Sequence, residues 1–330
     1  MLTSEILRRV REIQVRTGRQ VADVLAGEYV SVFKGRGMEF DEVRPYVPGD
    51  DVRSIDWNVT ARTGEPYVKR YVEERQLTLM LMADVSASQD FGSVSRSKRE
   101  ATAELCALLA FSATRNDDKV GLALFHSEIE EFIPPRKGQK HALRVVRDVL
   151  AHSDEQDRRA LFEASGAQDA SLAERLKAWW RRFATGRRPR RAREATDVGF
   201  ALEFLMRVTK RRTICFVVSD FLDDGFERAM VAANRKHDVI AVLVTDPNEL
   251  EVPDVGLVAL RDAETGEARV VDTGSSAFRQ EARTRTESRI KELELRFASL
   301  GIDFIHVDAA GDVIDPLVRF FRMRERRGRR

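Results

Sequence analysis

The chain has 330 residues, 43% of them hydrophobic and 33% charged, about two domain lengths and enough apolar matter for a sizeable core. That balance excludes disorder, collagen and disulfide scaffolds as whole-chain readings, and Cys106 and Cys215, each inside an apolar run, read as buried free thiols. The formal net charge of +2 conceals nine Lys/Arg against one acid between Ala173 and Arg193, and seven Arg against one acid between Arg319 and Arg330, on an otherwise acidic body.

In chain order, Ser4 to Arg16 reads as a short amphipathic helix, followed by Gly- and Pro-punctuated β-like runs through Val72. From Gln76 onward short unbroken apolar runs alternate with amphipathic stretches. Strands are predicted over Leu77 to Ala83, Val120 to Phe125, Thr213 to Ser219, Val239 to Thr245 and Asp303 to Val307, with Ser127 to Ile133 returning as an antiparallel edge. Helices are predicted over Lys98 to Thr114, Lys140 to Leu150, Val198 to Val208, Gly225 to Lys236 and Phe278 to Leu300, and Asp262 to Arg269 reads as a turn between two short strands. This alternation predicts an α/β fold, a doubly wound and mostly parallel sheet over 76–330, preceded by a β-rich segment over 1–75. Residues 153–195 read as a basic helical insertion, and 319–330 as a basic tail with Arg324 to Arg330 disordered. No apolar run approaches the roughly 18 residues of a membrane-spanning helix, so a cytoplasmic protein is expected.

In open parallel sheets ligands bind beyond the carboxyl ends of strands. The first strand runs into Asp84-Val85-Ser86-Ala87-Ser88, the third into Ser219-Asp220, and Thr196-Asp197 precedes the helix that enters the third. A carboxylate and two hydroxyls at alternate positions, joined by Thr196 and Asp220, form an oxygen-only donor set suited to Mg²⁺ or Mn²⁺. The same residue types also serve as turn and cap residues. The arrangement resembles the metal-ion-dependent adhesion site (MIDAS) of von Willebrand factor type A domains. That resemblance implies direct ligation by Ser86, Ser88 and Thr196, with Asp84 and Asp220 bound directly or through water. Gln89 departs from the Met often found at its position in that family.

The stretch Phe33 to Arg62 contains Gly35, Arg36, Gly37, Glu39, Phe40, Glu42, Arg44, Pro45, Tyr46, Pro48, Gly49, Asp50, Asp51, Arg53, Asp56, Trp57 and Asn58 in one ordered motif. With Lys98, Glu104, Asp117-Asp118-Lys119, Ser219-Asp220-Phe221 and Asp246-Pro247-Asn248-Glu249, it resembles the bacterial domain-of-unknown-function 58 (DUF58) family. Membership implies a von Willebrand A-like domain and genes that commonly accompany a MoxR-type AAA+ ATPase, hence that ATPase or an acidic client as partner. Trp57 is expected to bury against the sheet. The charged members, among them Glu39, Arg44, Asp50, Asp51 and Arg53, form either an internal ion-pair network or a partner surface. Leu172 to Phe183, if helical, gathers Trp179 and Trp180 beside Arg, as a helix docked on its own domain, a partner or a membrane surface would.

No phosphate-binding glycine loop is present, and the five histidines lack zinc spacing, so the chain is expected to be a non-enzymatic, metal-dependent adaptor. A Mg-dependent phosphatase using Asp84 and Asp220 is the enzymatic alternative. That chemistry wants a second Asp where Ser86 stands, and a hydroxyl cannot be its general acid. Nucleic-acid or membrane-surface binding through the basic appendages is the third reading; for nucleic acid it predicts steep salt dependence.

Overall fold

The computed structural model describes residues 37–74, 77–93, 96–150, 196–261 and 268–328. The expected Ser4–Arg16 helix and the 153–195 insertion, Trp179 and Trp180 included, lie outside them. Strands β3 (Thr78–Asp84), β4 (Lys119–Phe125), β6 (Ile214–Ser219), β7 (Asp238–Thr245) and β10 (Asp303–Asp308) form a parallel sheet in the order β10-β7-β6-β3-β4. Antiparallel β5 (Ile129–Arg136) closes the β4 edge. Strands β1 (Gly37–Pro45) and β2 (Tyr67–Glu74) make a separate antiparallel pair with a register shift between Phe40 and Glu42. Strands β8 (Leu257–Arg261) and β9 (Ala268–Asp272) make another.

The apolar runs are strands because both faces of the sheet are covered. Along β3, Leu79, Leu81 and Ala83 enter one core while Met80 and Met82 enter the other, the period-2 alternation of a pleated strand. The first core is closed by α2 (Lys98–Arg115), α3 over 139–150 and α8 (Ile314–Gly328). The second is closed by α4 (Val198–Val208), α5 (Glu227–Lys236) and α7 (Ser276–Ser299). Within the second, Phe297 packs its ring 5.1 Å from Phe221 and 5.7 Å from Phe226, both in the loop after β6. Two short helices complete the order, α1 (Trp57–Thr63) and α6 (Pro247–Leu250).

Three expectations need correcting. Helix α2 is not amphipathic: every residue from Ala101 to Ala113 is buried, because alanines alternating with larger apolar groups let it sit inside the core. The basic tail is ordered helix through Gly328, since Leu317, Phe320 and Phe321 give it a buried stripe. Within it the Arg324 guanidinium contacts both oxygens of Asp238 at 2.6 and 2.8 Å and Asp303 at 2.6 Å, and lies over the Phe320 ring. Trp57 is 69% exposed rather than buried against the sheet. It begins α1, a helix capped by Asp56, in a stretch expected to be β-like; the cap's β-region backbone and the left-handed Gly64 fix that short helix instead.

Candidate metal centre

The site lies where β3 and β6 end. The Asp84 carboxylate, 1% exposed, accepts hydrogen bonds at Oδ1 from the Ser86 backbone N–H (2.8 Å) and at Oδ2 from Thr196 Oγ1 (3.2 Å) and Ser219 Oγ (2.7 Å). Ser86 Oγ and Ser88 Oγ lie 2.9 Å apart, and a single 3₁₀ turn from Ala87 to Asp90 holds this loop. Thr196 is placed by its two C-terminal neighbours. The Asp197 N–H donates to His126 O at the end of β4 and the Val198 N–H donates to Asp223, while the Asp197 side chain caps α4 through Phe200 N.

Asp220 follows β6 and is 1% exposed. Its Oδ2 accepts from Lys98 Nζ at 3.1 Å, and its Oδ1 is buried with no hydrogen-bond partner. The following residue, Phe221, adopts left-handed backbone (φ 48°), which a bulky side chain rarely does. Its N–H donates to Ser219 Oγ and its ring is held in the second core, so packing enforces the turn that delivers Asp220.

All five expected ligands, Asp84, Ser86, Ser88, Thr196 and Asp220, thus meet at one end of the sheet. Two further participants escaped the sequence reading. Ser219 adds a fourth hydroxyl to the site, bonded to Asp84; its position at the strand end was the available signal. Lys98, the first residue of α2, is 1% exposed and pairs with Asp220 and, at 2.7 Å, with Glu249 of α6. Next to Ser88 in the chain, Gln89 is buried with neither side-chain amide atom hydrogen-bonded. Among the described residues no three His, Cys, Asp or Glu side chains group as a metal site, so an ion here would rest on hydroxyls plus two carboxylates.

Burial and the neighbouring Asp220 charge push the Asp84 carboxyl up to about 6, against the stabilising bonds from Ser219 and Ser86. Burial likewise pushes Asp223 up to about 7. For Lys98, burial alone would depress the amine, but Asp220 and Glu249 outweigh it and hold it above its ordinary value, charged. Because Asp84 is raised from 3.8 in the unfolded chain, its ionisation subtracts stability as pH climbs from about 4 through 6, and the penalty is complete above that. In chelator, the stability of Asp84→Asn relative to wild type is therefore expected to rise between pH 4.5 and pH 7.5, by on the order of 2 kcal/mol. Parallel pH profiles in urea unfolding would refute this.

Four charged residues of the N-terminal motif are engaged locally. Arg44 pairs with Asp50 through both nitrogens (2.6 and 2.8 Å), Asp51 caps the 3₁₀ turn Val52–Ser54 and Asp56 caps α1 while meeting Lys69 at 3.3 Å. Glu39 lies on β1 opposite Val72, and Arg53 is exposed.

A family model described as "Protein of unknown function DUF58" matches residues 42–292. The chain belongs to the DUF58 family. Relatives of this DUF58 chain match nearly its whole length: the uncharacterized proteins Rv1480 of Mycobacterium tuberculosis and Mb1516 of Mycobacterium bovis are each 27% identical over 318 residues, 96% of this chain and 89% of theirs. Among solved structures, this DUF58 chain is similar to BatB from Bacteroides thetaiotaomicron (TM-score 0.38, 15% identity, 76% of this chain and 99% of that one). It is also similar to the SpRpn10 VWA domain (TM-score 0.35, 11% identity, 73% and 94%). Among the described residues no helix is long and apolar enough to cross a membrane.

Proposed function

We propose that this DUF58 protein is a protein-interaction module whose binding depends on Mg²⁺ or Mn²⁺, working as a non-enzymatic adaptor with a MoxR-type AAA+ ATPase or an acidic client. The observation that carries the reading is the buried, unpartnered Oδ1 of Asp220, whose charge acts on the Asp84 carboxylate bonded to Thr196, with the Ser86–Ser88 hydroxyl pair in the loop that follows Asp84. A buried carboxylate oxygen without a donor is costly unless a cation satisfies it, and a hard-oxygen set fits a small divalent ion. Ser86, Ser88 and Thr196 would hold the ion with Asp84 and Asp220, which bind directly or through water. When bound, the ion would supply a Lewis-acidic position that an acidic side chain of a partner can fill. The chain's own residues fix the donors: Ser219 and Thr196 orient Asp84, and the Phe221 turn presents Asp220.

The hydrolase alternative places Asp84 as nucleophile, but Asp84 Oδ2 is covered by two hydroxyl donors and Ser86 stands where a general acid is needed. The adaptor reading is favoured on that geometry.

After chelation, thermal unfolding of wild type across Mg²⁺ and Mn²⁺ titrations is expected to shift upward, by about 2.7 kcal/mol of stabilisation at one hundred times the dissociation constant. Asp84→Ala is expected to fold and to show no shift. Equal shifts in both proteins would overturn the assignment of the site.

A further inference from the structure

Resting on that metal reading, one feature of the site goes beyond a hydroxyl-and-carboxylate cage: a positive charge is already built into it. Lys98 is almost wholly buried, and its ammonium lies between two carboxylates, 3.1 Å from Asp220 Oδ2 and 2.7 Å from Glu249 Oε1. These three residues come from α2, the loop after β6 and α6. Glu249 is also partly exposed, its side chain at 31%, and its other oxygen accepts the Asp246 N–H in a capping box. Asp246 in turn accepts the Ser93 N–H and hydroxyl. The ammonium's second acceptor therefore belongs to a short surface helix tied to the loop that leads into α2.

We propose that Lys98 is an internal counter-cation that competes with the divalent ion for Asp220, and that Glu249 is the acceptor to which its charge is surrendered when the ion binds. The physical basis is charge accounting. Asp84, Asp220 and Glu249 bring three negative charges, and an ammonium shared between Asp220 and Glu249 offsets part of the attraction at Asp220 before any ion arrives. An ion drawn to Asp220 repels the ammonium, which needs a remaining carboxylate to stay satisfied while buried, and Glu249 already touches it. Lys98 is thus a positioning residue that sets affinity. Ion binding would favour the Lys98–Glu249 contact over the Lys98–Asp220 contact, and so load α6, the part of the device that reaches solvent.

The roles of the two residues predict opposite effects. Lys98→Met keeps the volume and removes the competitor, and is expected to tighten Mn²⁺ binding about tenfold or more; Glu249→Gln removes the alternative acceptor and is expected to weaken it about threefold or more. The measurement is direct: free Mn²⁺ counted by electron paramagnetic resonance in titrations of the full chain, with Mg²⁺ displacing the bound Mn²⁺. A purely structural role for the ion pair would lower stability in both variants without moving the two affinities apart. Wild type that binds Mn²⁺, with Lys98→Met binding equally or more weakly, overturns the competitor role and leaves the metal reading standing. If neither wild type nor Lys98→Met binds Mn²⁺ at millimolar concentration, the metal reading itself falls and takes this inference with it. Should Lys98→Met fail to fold, Glu249→Gln decides alone, since its side chain is partly exposed and the substitution keeps its size; affinity equal to wild type then refutes the proposal.

Discussion

Replacing Phe297 by Ala is expected to destabilise the protein by about 3–5 kcal/mol, as large-to-small changes in a closed aromatic core do. Its ring is fully buried and packs within 5.1–5.7 Å of the rings of Phe221, Phe226 and Phe304. The effect should reach the site as well. Phe221 holds a left-handed backbone only because its ring is wedged in this cluster, so loss of Phe297 relaxes the turn that carries Asp220. Urea unfolding gives the stability change, and Mn²⁺ titration of the still-folded variant should show weaker binding than wild type. A loss under about 1 kcal/mol would mean that the cluster collapses onto the space with little strain.

The second large effect is expected at Arg324→Ala, about 2–3 kcal/mol. Arg324 is only 17% exposed and bridges Asp238, the first residue of β7, to Asp303, the first residue of β10. Truncation leaves the partly buried Asp238 without its guanidinium and Asp303 with only the exposed Arg327, at the start of adjacent parallel strands, which costs more than the pair contributed. Arg327, 65% exposed, also meets Asp303, yet Arg327→Ala should change stability by less than about 0.5 kcal/mol because solvent screens that pair. Chemical unfolding of the two variants side by side is the measurement, and similar losses in both would refute the distinction.

That contrast also shows where sequence reasoning reached and where it stopped. Helix α4 was legible to the residue, and β3 nearly so, because an unbroken apolar run can be satisfied only by cover on both faces. The tail was misjudged because seven arginines dominate its composition, while the Leu317, Phe320 and Phe321 spacing that makes it a helix is carried by few residues. Trp57 was misjudged for a related reason: its size argued for burial, but local capping by Asp56 set its position. Within the site, Asp84, Ser86 and Ser88 sit side by side in sequence, and Thr196 and Asp220 sit at element ends where a parallel sheet gathers ligands, so their meeting was foreseeable. The Lys98 contacts were not. They join residues 122 and 151 positions apart, and nothing in a lysine at the start of a helix distinguishes a buried counter-charge from a solvated one.

The hydroxyl partners of Asp84 lie 112 and 135 residues further along the chain. During synthesis at about 5–20 residues per second, the loop carrying Asp84, Ser86 and Ser88 therefore emerges about 7 to 27 seconds before Asp220 and longer still before Glu249. For that interval the nascent chain holds the most recognisable part of its motif without the groups that orient it, and the strand that delivers Ser219 has yet to find β3. The geometry that orients Asp84 therefore exists only in a sheet that has already closed.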